Sequence, residues 1–241
     1  MERTVYQEKY LLLSLSFLSC FLVVAFFRGS FSAIDLSVNM WAASVNTNFF
    51  SLPAKLISIA FDTTVLLGVS LTIATILFLI HRKRYGLLLL GAMGGDALLV
   101  DVCKIVTASP RPLNEIVTEM NNSFPSGHVT GTIVLFGLLA YIAWKHWRTT
   151  KIRVSATMIY ASVTAVVGFD RIYLNVHWLS DVIGAVLLGS FWLAFSIYIF
   201  NRLSRTDKLK RFLTAPNQRH TSAPIRKPTL FSAKHSHDVQ G

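Results

Sequence analysis

Charged side chains are scarce in this sequence: 15% of the 241 residues are Asp, Glu, Lys or Arg, against 53% that are hydrophobic. A soluble domain carries about 25% charged residues to cover its water-facing surface, so an ordinary soluble fold is excluded. Acidic residues are the scarcer sign, 12 against 23 basic ones, for a formal net charge of +11. Charge alone would suit a nucleic-acid binder, but such a protein has no need of so much apolar sequence. Cations flanking membrane spans are the simpler account. Cysteine is nearly absent, and the two present, Cys20 and Cys103, lie in apolar stretches without metal-ligand spacing. They read as small core residues. No internal repeat is visible. No small-residue cleavage site clearly follows the first apolar run, which therefore reads as a retained helix and not a signal peptide.

Long apolar runs, by contrast, are plentiful. A helix crossing a hydrocarbon core of about 30 Å needs about 20 apolar residues, and six stretches qualify or nearly so: Tyr10 to Phe27, Leu56 to Ile80, Tyr85 to Cys103, Val129 to Trp144, Val154 to Phe169 and Leu179 to Phe200. The fourth and fifth are short and are expected to extend into their polar flanks. Helices are the open-chain solution, because lipid offers no partners to unpaired backbone groups. The expected fold is all-α: a polytopic, six-transmembrane-helix bundle over residues 1–203, followed by a basic tail over 204–241. The tail's Pro breakers and low hydrophobicity predict disorder on the cytoplasmic side, with basic residues able to meet anionic head groups. Its histidines, His220, His235 and His237, read as solvated.

The loops fix an orientation. Arg82, Lys83 and Arg84 fall between the second and third runs, and Lys145, Arg148, Lys151 and Arg153 between the fourth and fifth. In a six-span plan these loops share one side with both termini, and the positive-inside rule makes that side cytoplasmic. Between the first two runs, Ile34, Leu36, Met40 and Trp41 are compatible with a short interfacial amphipathic helix or with a plain loop.

On the opposite, outer side, three polar clusters gather although they are far apart in sequence: Lys104 with Arg111-Pro112; Pro125-Ser126-Gly127-His128 just before the fourth run; and Asp170-Arg171, His177 and Asp181 between the fifth and sixth. A helix start such as that at Ser126 favours an anion through its free N–H groups and dipole, and Gly127 lets the backbone approach a phosphate. The guanidinium forks of Arg111 and Arg171 match phosphoryl oxygens, with Lys104 as a point charge. His177 and Asp181 are four apart, so a carboxylate can hold Nδ1–H and leave Nε2 as a nucleophile. His128, from another helix, suits a general acid. Taken singly, each has a plainer reading: Lys104 and Arg111 as snorkelling cations, Ser126 as a helix cap, His177 as an interface residue.

Taken together, these residues resemble the type 2 phosphatidic acid phosphatase (PAP2) superfamily, which also includes vanadium haloperoxidases and glucose-6-phosphatase. Its pattern is Lys, six residues, Arg-Pro; then Pro-Ser-Gly-His; then Ser-Arg, five residues, His, three residues, Asp. Lys104 and Arg111-Pro112, residues 125–128, and Arg171, His177 and Asp181 match it at every internal spacing. The resemblance implies a haloperoxidase-like core and an integral-membrane phosphatase acting on a lipid phosphate or diphosphate in the bilayer. It implies a phosphohistidine on His177, Asp181 as its orienter and His128 as acid and then base. Lys104, Arg111, Ser126, Gly127 and Arg171 would hold the phosphate, with no metal or other cofactor. One position departs: Asp170 stands where the family has Ser, and is expected to turn away or to pair with Arg171 or another cation. A lipid phosphotransferase using the same site is the alternative reading. A transporter is the rival from another class, motivated by Asp62, Asp96 and Asp101 in or near apolar runs, though polar packing between helices accounts for them too. Asp101 is also placed to pair with Lys104 across one turn.

Overall fold

In a computed structural model, the backbone is described for residues 2–214 and the side chains for residues 8–206. Eight α-helices occur among the described residues: α1 (Glu2–Phe26), α2 (Ser32–Val45), α3 (Asn48–Ala60), α4 (Thr63–Leu79), α5 (Lys83–Thr107), α6 (Gly127–His146), α7 (Thr150–Tyr173) and α8 (Leu179–Thr214), with one 3₁₀ turn at Arg28–Phe31. The chain divides into a compact unit over residues 1–204 and a second over 205–241. Of the second unit the structure describes only the end of α8, so most of the basic tail and its three histidines lie outside the described residues.

Five helices (α1, α5, α6, α7 and α8) are each long and apolar enough to cross a membrane. A sixth span exists only if α3 and α4 are taken together, and these meet at a bend of 51°. The apolar run from Leu56 to Ile80 is thus not one helix. Asp62 has extended backbone and its carboxylate accepts the Thr64 N–H at 2.8 Å, capping α4. An acidic cap before Thr63-Thr64 starts a new helix even where hydropathy continues. The segment left open between interfacial helix and loop forms α2.

The helix α6 sits at the centre, with 72% of its apolar window buried against 11% for α7 and 17% for α1. Outer helices turn apolar side chains such as Leu12, Leu98, Met158 and Ile159 outward, the pattern of a bundle solvated by lipid. Cys20 follows it, lying exposed on α1 instead of in the core, while Cys103 is half-buried and both are free. Lipid tails are as apolar as the helices, so the helices associate through close packing where small residues permit it. At Gly189 of α8, an added Cβ would stand 3.2 Å from both the Ile133 side chain and the Thr130 backbone of α6. Asp96, buried in α5, packs against Thr130 and Gly131 of α6, the helix-packing role weighed above.

Chain direction places the end of α5 and the starts of α6 and α8 at one end of the bundle, with the end of α7. The basic loops lie at the other end, where Tyr85 of α5 meets His146 of α6 at 4.9 Å between ring centres.

Candidate active site

The turn joining α7 to α8 carries His177 and is held from four directions. Asn175 adopts a left-handed backbone (φ 52°), which Asn tolerates better than most residues, and its side chain accepts from Asn39 Nδ2 of α2 at 2.9 Å. Asn46 donates to the Tyr173 carbonyl at 3.2 Å. Asp35 of α2 accepts both the backbone N–H and the hydroxyl of Ser180, at 2.8 and 2.7 Å, satisfying donors at the start of α8. Arg28, just past α1, donates to Asp181 Oδ1 at 2.7 Å.

Within that frame Asp181, fully buried, uses its second oxygen twice. Oδ2 accepts the Trp178 N–H at 3.0 Å and lies 3.4 Å from His177 Nδ1. On the far side of the ring, Arg111 Nη1 is 3.5 Å from His177 Nε2. A guanidinium donates and cannot accept, so Nε2 facing it is the lone-pair nitrogen and Nδ1 carries the proton towards Asp181. Burial holds the His177 imidazole below its ordinary value, against the carboxylate of Asp181, which favours the charged form. A buried, neutral imidazole with an oriented lone pair has the chemistry of a nucleophile.

The cations close around it. Lys104, in the last turn of α5, donates to Asn121 Oδ1 at 2.9 Å, and Asp101, the alternative partner, stays exposed. Arg111 donates from Nε to the Asn121 carbonyl at 2.7 Å, from Nη1 to the Val176 carbonyl at 2.6 Å, and from Nη2 to Asn121 Oδ1 at 2.6 Å and Glu119 Oε2 at 3.2 Å. Arg171 is buried and gives Nε and Nη2 to Asp170 Oδ2, leaving Nη1 to face Glu119 Oε1 at 3.5 Å. Asp170 thus pairs with Arg171.

The α6 start completes the ring. The Ser126 N–H reaches the Asp181 carbonyl at 3.5 Å, tying α6 to α8. Ser126 occupies the cap position, yet its hydroxyl makes no cap bond and is buried without a partner. A buried unsatisfied hydroxyl is uncommon; here it sits beside the free N–H groups of a helix start. At Gly127 an added Cβ would stand 3.0 Å from Thr63 Oγ1, so a side chain there would require Thr63 to shift. Buried His128 is within electrostatic reach of Arg171, His177 and Lys104, and its Nε2 lies 3.9 Å from Asp62 Oδ2.

All eight residues singled out in the sequence therefore lie at the same end of the bundle. The residues that sequence reasoning missed are Glu119, Asn121, Arg28 and Asp35. Arg28 reads as an ordinary interface cation, and the others have no fixed spacing to any motif.

Comparison with known proteins gives this constellation its context. A family model described as the PAP2 superfamily matches residues 85–205, half of the chain. The chain belongs to the PAP2 superfamily. Similar proteins include phosphatidylglycerophosphatase B of Bacillus subtilis (strain 168), 37% identical over 135 residues, or 55% of this chain and 64% of that protein. An undecaprenyl-diphosphatase of Sulfolobus acidocaldarius is 29% identical over 154 residues, 59% of this chain and 68% of that one. The match to the Bacillus protein thus spans slightly less than two thirds of its length. The crystal structure of a transmembrane PAP2-type phosphatidylglycerolphosphate phosphatase from Bacillus subtilis superposes with a TM-score of 0.73 at 26% identity, covering 83% of this chain and 98% of that one. The all-α PAP2 membrane fold is thereby shared over nearly the whole of that relative.

Proposed function

We propose that this PAP2 protein is a metal-independent phosphatase that hydrolyses a lipid phosphate or diphosphate through a phosphohistidine on His177. The observation that carries the reading is Arg111 at 3.5 Å from Nε2 of buried His177, with His128 within electrostatic reach of His177, Arg171 and Lys104 and an unpartnered Ser126 hydroxyl at the start of α6, whose N–H reaches the Asp181 carbonyl. Phosphoryl transfer demands in-line attack and neutralisation of the equatorial oxygens, and these groups supply both.

Nε2 of His177 attacks phosphorus, the bond from phosphorus to the lipid-side oxygen breaks, and His128 gives that oxygen its proton. Asp181 stabilises the positive charge that develops on the imidazole. Water then attacks the phosphoryl group on His177 while His128 takes its proton, the P–N bond breaks, and inorganic phosphate leaves with both histidines restored. Lys104, Arg111, Ser126, Gly127 and Arg171 hold the oxygens throughout.

A lipid substrate is favoured by the surroundings. An apolar cleft of about 640 Å³ between α2, α3 and α7, lined by Trp41, Phe50, Ile57, Val166 and Phe169, includes Asp170, the partner of Arg171. Tails in such a cleft would leave the phosphate beside the cations. The names of the relatives point to phosphatidylglycerophosphate and undecaprenyl diphosphate, and phosphatidic acid offers the same chemistry. The basic loops at the opposite end support, through the positive-inside rule, a site on the extracytoplasmic face of the cell membrane with both termini in the cytoplasm. The test is phosphate release by purified protein from a panel of detergent-dispersed lipid phosphates. Turnover is expected on at least one of them, blocked by orthovanadate and indifferent to EDTA. Loss of turnover on chelation, or full activity in His177→Ala, would reject the mechanism.

A further inference from the structure

The phosphate cradle already holds an anion of the protein's own. Glu119 splays its carboxylate across two guanidinium groups, Oε2 to Arg111 at 3.2 Å and Oε1 to Arg171 at 3.5 Å. On Arg171 it meets Nη1, the nitrogen that Asp170 leaves over. On Arg111 it meets Nη2, whereas Nη1 is held by the Val176 carbonyl. Glu119 thus takes the one Arg171 nitrogen that Asp170 leaves over, and shares Arg111 Nη2 with the Asn121 side chain. Two carboxylate oxygens shared between two arginines reproduce the contact that two oxygens of a phosphoryl group would make.

The loop bearing Glu119 is held by its neighbours and not by Glu119 itself. Its neck is fixed by the Ser109 and Ser123 hydroxyls at 2.9 Å, the Ser123 N–H to the Ser109 carbonyl at 2.9 Å, and Thr107 Oγ1 to the Phe124 carbonyl at 3.1 Å. Ile116 is anchored through its N–H to the Leu174 carbonyl at 3.0 Å. Between and beyond these anchors, Leu113 and Met120 are fully exposed. Met120 is the immediate neighbour of Glu119 and Asn121 next to it is tied to Arg111 and Lys104, so it is the Glu119 side chain, on a surface segment with pinned backbone, that is free to swing away.

We propose that Glu119 is an internal competitor for the phosphoryl group, which the substrate must displace and which thereby sets the charge a head group needs in order to bind. This deepens the phosphatase reading and rests on it. Both contacts are long, and when Glu119 leaves, Arg111 keeps Asn121 and the Val176 carbonyl and Arg171 keeps Asp170, so the exchange strands no buried cation. A phosphoryl dianion satisfies both arginines, Lys104, the Ser126 hydroxyl and the α6 N–H groups at once, so exchange runs towards the substrate. A phosphodiester, with a single charge and fewer free oxygens, lacks that advantage. The enzyme lies in a bilayer rich in phosphodiester lipids, and a resident carboxylate excludes them without excluding a phosphomonoester or diphosphate. Specificity of this kind comes from an element that opposes the wrong ligand. The same carboxylate, returning to the arginines, favours release of inorganic phosphate.

The alternative is that Glu119 is a permanent strut that positions the arginines, and the two roles predict opposite signs. In the exchange role, Glu119→Gln keeps the shape, removes the charge, and tightens orthovanadate binding by purified, detergent-solubilised protein about tenfold. A short-chain phosphatidylglycerol also becomes a measurable competitive inhibitor. Unchanged or weaker orthovanadate binding in E119Q overturns the assignment. If that variant does not fold, the wild-type protein serves: a crystal structure with orthovanadate should show both Glu119 contacts broken, and their persistence beside the bound ion overturns the proposal. Equal binding by wild type and E119Q removes only the role of Glu119. Absence of orthovanadate binding in both removes the phosphatase reading as well.

Discussion

At the scale of single residues, reactivity is set by how one buried carboxylate is shared. Asp181 serves His177 with one oxygen and Arg28 with the other. Burial lowers the imidazole from its ordinary 6.5, Asp181 pulls it upward, and Arg111 pushes down while Glu119 pushes up. In the proposed mechanism the neutral imidazole attacks, so activity is expected to fall as pH drops through the His177 value, with the acid limb of kcat/KM below pH 6.5. Asp181→Asn removes the upward pull and leaves Arg28 unpaired, moving that limb to lower pH. It also lowers kcat, by about a thousandfold or more, through loss of the tautomer and orientation. Arg28→Ala frees the Asp181 charge for His177 and moves the limb to higher pH. Leaving a buried carboxylate short of its partner costs about 3–5 kcal/mol of stability, so both profiles are measured below the melting transition of each variant. Shifts of the same sign in the two variants would contradict this division of Asp181.

At the scale of elements, the site depends on how tightly α8 approaches the segment ahead of α6. An added Cβ at Gly184 would stand 2.3 Å from Phe124 Cε2 and 2.6 Å from Cζ. That ring has nowhere to go: it is fully buried, stacked on Phe21 at 5.6 Å, and covered by the Arg28 guanidinium at 4.4 Å. Phe124 also leads directly into Pro125-Ser126-Gly127-His128. Gly184→Ala is expected to destabilise by about 1–3 kcal/mol, read by thermal unfolding in detergent. It should also lower kcat, because Ser126 and His128 move with the ring. Gly91→Ala, which meets nothing within 4 Å, is the control and should change neither. The elements were also the most legible part of the sequence. Apolar length dictates a span, so α1 and α5 to α8 were visible as runs. The break at Asp62 was hidden because hydropathy continues across it, although Asp62-Thr63-Thr64 carries a cap signal. Among site residues, those in fixed-spacing motifs were legible. Arg28, Asp35, Glu119 and Asn121 were not, because their partners lie from 8 to more than 150 positions away and only packing brings them together.

At the scale of the whole molecule, the chain separates two chemistries along the bundle. One end gathers Lys104, Arg111, Arg171 and two histidines beneath polar loops, and the other carries the basic clusters that orient a membrane protein. Between them the helices offer lipid an apolar exterior and keep α6 at the centre, so the first turn of α6 is both part of the core and part of the site. That arrangement is why short motifs spread over residues 104–181 act as one unit: each stands where a helix enters or leaves the same end. The central claim is that this end holds one phosphorus centre attacked by His177. Rapid acid-free quenching of wild-type protein during turnover of a ³²P-labelled lipid phosphate, followed by mass-spectrometric location of the label, tests it most directly. The account predicts an acid-labile phosphoryl group on His177 that forms and decays at the rate of turnover. Label on His128, or brisk turnover with no phosphoenzyme at any point, would contradict it.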